Sequence, residues 1–347
     1  MARCYKIVLV EEVQRLPELL DTLDSTSKKF SFRCGSFLFS SKISPELLEY
    51  DNQKKSNCIT FINISGFQLA ETWRRHSSKL CDRIAAGQPD KFQALKYNYT
   101  QQELMLSCVT GSFPEPALNR FDQAFCREWH TKRLQTYIEQ EVMAIDTKLQ
   151  PPIFKQTMRK LAQLSASSLP AQMLTRKIPK ISHGTLASHL KILEGTGMWR
   201  NLAAYPDTSH DEEPETFGLM RDSGMLCHIL KITSVSELEG HPDFPVIWRS
   251  FVWEELLKGF SDRLISIQPY HFTSQKGEPL LLLEGSFGKI LVGVQTDPKP
   301  LDRHNILNTL NAETHNRAQY SYAIAITFGS RIRQVADKVF EIPVGCI

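Results

Sequence analysis

The residues best suited by type and spacing to do chemistry are Glu11 and Glu12, which follow directly on an apolar run from Tyr5 to Val10. A strand that ends in two acids can set one carboxylate on a magnesium ion and the other beside an attacking water. Such a pair needs a companion loop, G-x-x-x-x-G-K-[ST], whose backbone N–H groups and lysine hold the phosphates. That loop belongs ahead of the acids, where the sequence has only Met1 to Cys4. Further on, Gly285, Ser286, Phe287, Gly288 and Lys289 come nearest, without the full glycine spacing or a hydroxyl residue after the lysine. They lie between the apolar runs Leu280–Leu283 and Ile290–Val294, so a turn joining two strands accounts for them better.

A second constellation is electrostatic. Residues 148–200 contain nine Lys/Arg and a single acid, Glu194, so this stretch carries about +8 and the remainder about −5. Charge asymmetry of that kind within one chain is the footprint of an anionic partner. Inside it, Ile181 to Glu194 reads as the recognition helix of a winged helix-turn-helix. Ser182 is the expected N-cap, Leu186, Leu190 and Leu193 the buried face, and Gly195 and Gly197 the stop. His183, Ser188 and Lys191 then fall on or near the open face, with Lys177 and Lys180 just upstream. These five are the DNA-binding candidates, for phosphate and base contacts. The competing reading is a helical lid with solvated lysines.

Other patterns point to structure. His183 and His189 are six apart and share no helical face, so no metal site is expected there. Phe121, Phe125 and Trp129, spaced by four, read as a core stripe on a helix from Arg120 to Ile145 and not as a base-stacking platform. The eight cysteines (4, 34, 58, 81, 108, 126, 227 and 346) are scattered singly with no C-x-x-C pair. That pattern reads as reduced thiols in a cytoplasmic protein, with neither structural zinc nor a disulfide framework. No apolar run approaches the roughly 18 residues needed to cross a bilayer.

The elements that must position these residues fall into three zones, a number that suits a chain of 347 residues with 41% hydrophobic and 23% charged residues. Residues 1–146 open with strands alternating with helices, which indicates a parallel sheet with helical crossovers. Residues 147–205, after the Pro151–Pro152 pair, have a helical pattern throughout. Residues 206–347 open with an acidic linker, Asp207 to Glu215. A helix from Val246 to Phe260, two strands around the Gly285–Gly288 turn, a helix near Leu301–Asn311 and a strand Tyr322–Phe328 follow. The fold class expected is α/β in three units.

Taken in order, these segments resemble a large prokaryotic family of AAA-type ATPases. KIVLVEEVQRLPELL resembles its Walker B segment, and FRCGS sits where that family has a sensor strand, making Ser36 the sensor-like residue. Gly111 to Pro116 is similar to its Gly-Gly-Tyr-Pro-Glu-Pro turn. The winged-helix segment, Asp222-Ser223-Gly224 and the helix after His241-Pro242 continue the match. The resemblance implies a P-loop AAA-type core at 1–146, a winged helix at 147–205 and a PD-(D/E)xK restriction-nuclease-like domain at 206–347. The family uses ATP and magnesium.

The departures from that pattern set the functional expectation. The phosphate loop is not met before the Walker B strand, Glu11 stands where the family has aspartate, and Phe37 replaces a small polar residue. In the nuclease-like unit the Asp, Glu and Lys positions align with Leu280, Gly293 and Gln295, and the helix glutamate with Arg249. Glu278 and Glu284 lie nearby, but acids flanking a hairpin turn read as solvated surface. The expectation is an inactive relative with no cofactor or metal, no nuclease activity and no membrane partner. It would bind DNA, or associate with an intact family subunit or with itself. The alternative is an active ATPase whose true start lies upstream.

Overall fold

The computed structural model describes residues 7–30, 37–41, 47, 59–62, 64–167, 169–170, 178, 181–206, 215–316 and 319–347. Two compact units divide the chain: Met1–Ile64 with Ala187–Trp199, and Ser65–Leu186 with Arg200–Ile347.

In the first unit, β1 (Val8–Val10) leads through a 3-10 turn into α1 (Glu18–Phe30), and β2 (Phe37–Phe39) returns parallel to β1. The register sets Val8, Leu9 and Val10 opposite Phe37, Leu38 and Phe39. Val13, Leu20 and Leu47 form a small core against Leu19, Phe39, Ile59 and Phe61. The strand pair is otherwise open: Val8, Leu9 and Leu38 are exposed, as is Ile7 before them.

The second unit opens with helices. α2 (Leu69–Thr72) and α3 (Leu80–Ala85) precede α4 (Gln101–Thr110), whose capping box joins Thr100 and Glu103 and which stops at Gly111 with φ 78°. α5 (Pro114–Leu118) and α6 (Gln123–Thr136) follow, and α6 runs on through a π segment, Tyr137–Val142, to Met143–Ile145. Among the described residues between 65 and 146 there is no strand, so the strand–helix alternation read from Tyr5 to about Asp146 does not extend through that stretch. The single helix read from Arg120 to Ile145 also starts later. Arg120 and Phe121 form a turn, and the Asp122 carboxylate caps α6 by accepting from Phe125 N at 2.9 Å.

The aromatic stripe is corrected by the same shift of the helix start. Phe121 is 73% exposed and Phe125 38% exposed, while Cys126 and His130 take the buried face of α6. A spacing of four places residues on one face without saying which face is turned inward.

α7 (Pro151–Gln163) starts at the proline pair itself, where a missing N–H costs nothing, and buries Phe154, Met158 and Leu161, leaving Lys155 and Arg159 exposed. In chain order β3 (Leu169–Pro170), α8 (His183–Gly195), β4 (Trp199–Asn201), β5 (Ala203–Ala204), β6 (Glu215–Thr216) and β7 (Gly218–Met220) come next, with Ala187–Trp199, most of α8, belonging to the first unit. β3 pairs antiparallel with β6, and Leu202 N–H donates to Phe217 O. α9 (Ser223–Ile229) and α10 (Val235–Glu239) lead to α11 (Phe244–Ser261), a helix buried on nearly every side, with Trp248, Trp253, Val252 and Phe260 at its heart.

A seven-stranded mixed sheet completes the unit: β8 (Gln268–Thr273), β9 (Pro279–Gly285), β10 (Gly288–Val294), β11 (Tyr322–Thr327), β12 (Arg333–Ala336) and β13 (Val339–Pro343), with β5 at one edge. Its order is β12-β13-β11-β10-β9-β8-β5. β8, β9 and β10 form an antiparallel meander, and β10, β11 and β13 run parallel. α12 (Pro300–Asn316) packs on β10, β11 and β13. Leu280 to Leu283 are fully buried, as expected for a strand covered on both faces. The Gly285–Gly288 segment is indeed a hairpin turn, with Gly288 at φ 90°. Because Ala203 pairs in parallel with Tyr270, the sheet takes its edge strand from ahead of residue 206.

Candidate functional site

Of the acid pair, Glu11 is exposed and Glu12 adopts a left-handed conformation, φ 57° and ψ 40°. The Glu12 carboxylate accepts from Gln14 Nε2 at 3.0 Å and Arg15 Nε at 3.2 Å, and Gln14 Oε1 in turn accepts from Ser41 Oγ. The acids thus stand at the end of a strand with a parallel neighbour, and the second is held in a local ring of side chains. Ser36 lies outside the described residues, as do Lys177 and Lys180.

α8 begins as its sequence requires, with Ser182 Oγ accepting from Thr185 N at 3.1 Å. Leu186, His189, Ile192 and Leu193 are buried, and Leu190 is half-buried. His183, Gly184, Ala187, Ser188 and Lys191 are exposed along the opposite edge, at the i, i+4 spacing of one helical face. The structure therefore brings His183, Ser188 and Lys191 together on an open face, and adds His189 to the buried side. Lys191 has no ion-pair partner among the described residues.

The four positions that the resemblance aligned with a nuclease site are engaged in packing and hydrogen bonding. Leu280 is in the core. A Cβ on Gly293 would stand 2.6 Å from Ile306 Cδ1, so the close approach of α12 to β10 requires glycine there. Gln295 is buried: its Nε2 donates to Asp297 O and Lys299 O, and its Oε1 accepts from Phe328 N. The buried Arg249 donates to Ala166 O and pairs with Glu278 at 2.9 Å. Desolvation lowers the Arg249 pKa and raises that of Glu278, against the mutual attraction of the pair. Glu284, the other acid flanking the hairpin, is 3.7 Å from Lys289. Among the described residues no group of three or more His, Cys, Asp or Glu is placed to hold a metal ion.

Two polar assemblies were not foreseen from sequence. The Asp222 carboxylate joins two motifs, accepting from Ser112 N at 2.6 Å and Ser112 Oγ at 2.9 Å, and from Met225 N at 2.6 Å as the cap of α9. The signal was present, since Asp-Ser-Gly before an apolar run is a helix start. Its partner across 110 residues was not readable. The second assembly lies along α11: Glu254 receives Arg200 through Nε at 2.6 Å and Nη2 at 3.1 Å, and Lys258 pairs with Glu255 and donates to Phe67 O. Burial raises the Glu255 pKa despite Lys258. Ser112, Arg221, Ser223, Glu254, Glu255 and Lys258 line one small cavity.

The helical segment that contains Ser112 and Asp222 matches a family model described as a domain of unknown function (DUF8612), over residues 101–236, less than half of the chain. No family of AAA-type ATPases or nucleases is identified. No curated protein and no solved structure matches the chain. Among the described residues no helix is long and apolar enough to cross a membrane.

Proposed function

We propose that this protein is a non-hydrolysing relative of the AAA-type ATPases with a nuclease-like C-terminal unit, and that its work is to bind DNA through α8. The observation that carries this reading is the open edge of α8, where His183, Ser188 and Lys191, which has no ion-pair partner among the described residues, stand exposed opposite the buried Leu186, His189, Ile192 and Leu193. The order α7, β3, α8 and the later strands β6 and β7 supports a winged-helix arrangement. The C-terminal order α11, β8, β9, β10, α12, β11 supports a nuclease-like unit, whose ligand positions are occupied by Arg249, Gly293 and Gln295. Phosphate contacts made by lysines give a binding constant that falls steeply with salt.

Fluorescence anisotropy with a labelled duplex between about 50 and 200 mM salt tests this. Binding should weaken along that range, and Lys191→Ala should lower the slope of log K against log salt by about 0.9, the value for one lost phosphate contact. A duplex that binds equally well to wild type and to the His183→Ala/Ser188→Ala/Lys191→Ala protein would refute the reading. A second reading is association with an intact family subunit or with a second copy. It is favoured by the open parallel pair β1–β2, whose exposed Ile7, Val8, Leu9 and Leu38 present an unprotected strand edge and face.

A further inference from the structure

The turn that displaced Phe121 from the core also organises the residues around it. Trp73 is fixed by its indole N–H, which donates to Ser107 Oγ at 2.8 Å. The Arg120 guanidinium lies 4.0 Å from the Trp73 ring centroid and 4.8 Å from that of Phe121, and its Nη1 donates to Ala117 O at 3.1 Å. On the other side of Trp73, Arg75 lies 5.4 Å from the indole and 5.5 Å from the Tyr99 ring. Rings and guanidiniums therefore alternate from the buried Tyr99 through Arg75, Trp73 and Arg120 to Phe121. The last ring is 73% exposed.

Charge along this series is unbalanced. Arg75 is matched by Glu103, which accepts both of its terminal nitrogens. Among the described residues Arg120 has no carboxylate in hydrogen-bond contact, and its buried Nε has no partner. Burial pulls its pKa down, and the charges of Arg74 and Arg75 act in the same direction against Glu103. Arg74 is exposed, has no ion-pair partner among the described residues, and is held at φ 51°, a conformation that is costly for a residue with a Cβ. Two guanidiniums without a carboxylate partner among the described residues, beside a solvent-facing ring set edge-on to Trp73, call for an anion that also carries flat rings. A single strand of nucleic acid offers both at once. Duplex bases are already stacked on one another, and a carboxylate peptide has no use for Phe121.

We infer that Trp73, Arg74, Arg120 and Phe121 form a binding site for single-stranded nucleic acid, in which a base stacks on Phe121 and the guanidiniums meet the flanking phosphates. The site is independent of α8 and stands whether or not α8 binds duplex.

Anisotropy of a labelled oligothymidylate tests it. Phe121→Ala, at an exposed position that leaves the fold intact, should weaken binding about ten-fold, the typical loss for one stacked base. Phe121→Trp should restore it. Arg74→Ala should lower the salt slope by about 0.7, the single-strand value for one phosphate. An abasic oligomer of equal length should bind about as poorly as the oligothymidylate binds Phe121→Ala. Unaltered affinity in Phe121→Ala, equal binding of the abasic oligomer, or competition by polyglutamate as effective as by oligothymidylate would each overturn the assignment.

Discussion

Replacement of Asp222 isolates how the helical segment is held together, because three bonds of different kinds end on one buried carboxylate. Oδ1 caps α9 through Met225 N, and Oδ2 takes both the backbone N–H and the hydroxyl of Ser112. Loss of an N-cap costs about 1 kcal/mol. The bond from Ser112 N, charge-assisted and partly screened from water, contributes about 1.5 kcal/mol, and the rotatable hydroxyl about 0.5 kcal/mol. Asp222→Ala should then cost about 3 kcal/mol. Asp222→Ser keeps a side-chain cap but cannot span the distance to Ser112, so it should cost about 2 kcal/mol. Ser112→Ala removes the hydroxyl alone and should cost about 0.5 kcal/mol. With a urea slope of about 2 to 3 kcal/mol per molar, the alanine variant should shift the unfolding midpoint down by roughly 1 to 1.5 M in tryptophan fluorescence. An Asp222→Ser protein as stable as wild type, or an Asp222→Ala midpoint shifted by less than about 0.3 M, would show that the bonds to Ser112 hold nothing.

Two further outcomes follow from the same unit. Gly293→Ala should overpack β10 against α12 and cost about 1 to 3 kcal/mol, because the new methyl would meet Ile306 Cδ1 at 2.6 Å; Ile306→Val, which removes that atom, should recover part of the loss in the double variant, measured by urea midpoint. Desolvation, reinforced by the neighbouring His130, lowers the His228 pKa to about 4. The unfolded chain then binds the proton first, so stability is full above about pH 6.5 and is lost as pH falls toward 4. His228→Gln should flatten that part of the stability profile, and an unchanged profile would assign the loss to other groups.

Much of the architecture was readable because its signals are local. Ser182, Thr185 and the apolar spacing of α8 place that helix and its open face, and the Gly285–Gly288 turn between two apolar runs is the hairpin that composition and spacing imply. What was not readable is long-range. The burial of Cys126 and His130 in place of Phe121 and Phe125 depends on how α6 is rotated, and no spacing within α6 fixes rotation. Charged residues on α11 mask its centrality. Arg249, Glu254 and Lys258 read as exposed positions, yet Arg200, Glu278 and the Phe67 carbonyl arrive from distant segments and allow all three to be buried. The edge strand Ala203–Ala204 is too short to signal itself, and only its pairing with Tyr270 and His271 makes it part of the sheet.

If the C-terminal unit is nuclease-like, as proposed, the residues at its four aligned positions bear on how it would respond to change. A site that had merely lost its acids would present cavities or solvated side chains where ligands once stood, and putting the acids back would cost little. Here each position is engaged in packing or bonding. Glycine at 293 is required by the proximity of Ile306, Gln295 closes the loop of Asp297 and Lys299 onto Phe328, and Arg249 ties α11 to the Ala166 carbonyl and to Glu278. An acid at 249 would set two carboxylates against each other beside Asp302, whose charge already weighs on the ionised Glu278. Breaking a buried ion pair in that way costs about 3 to 5 kcal/mol. On the proposed reading, therefore, selection has acted on this sheet as a scaffold. On that reading, activity restored by substitution at Arg249, Gly293 and Gln295 would have to overcome the loss of the Arg249–Glu278 pair, the packing of Gly293 against Ile306 and the bonds of Gln295 together.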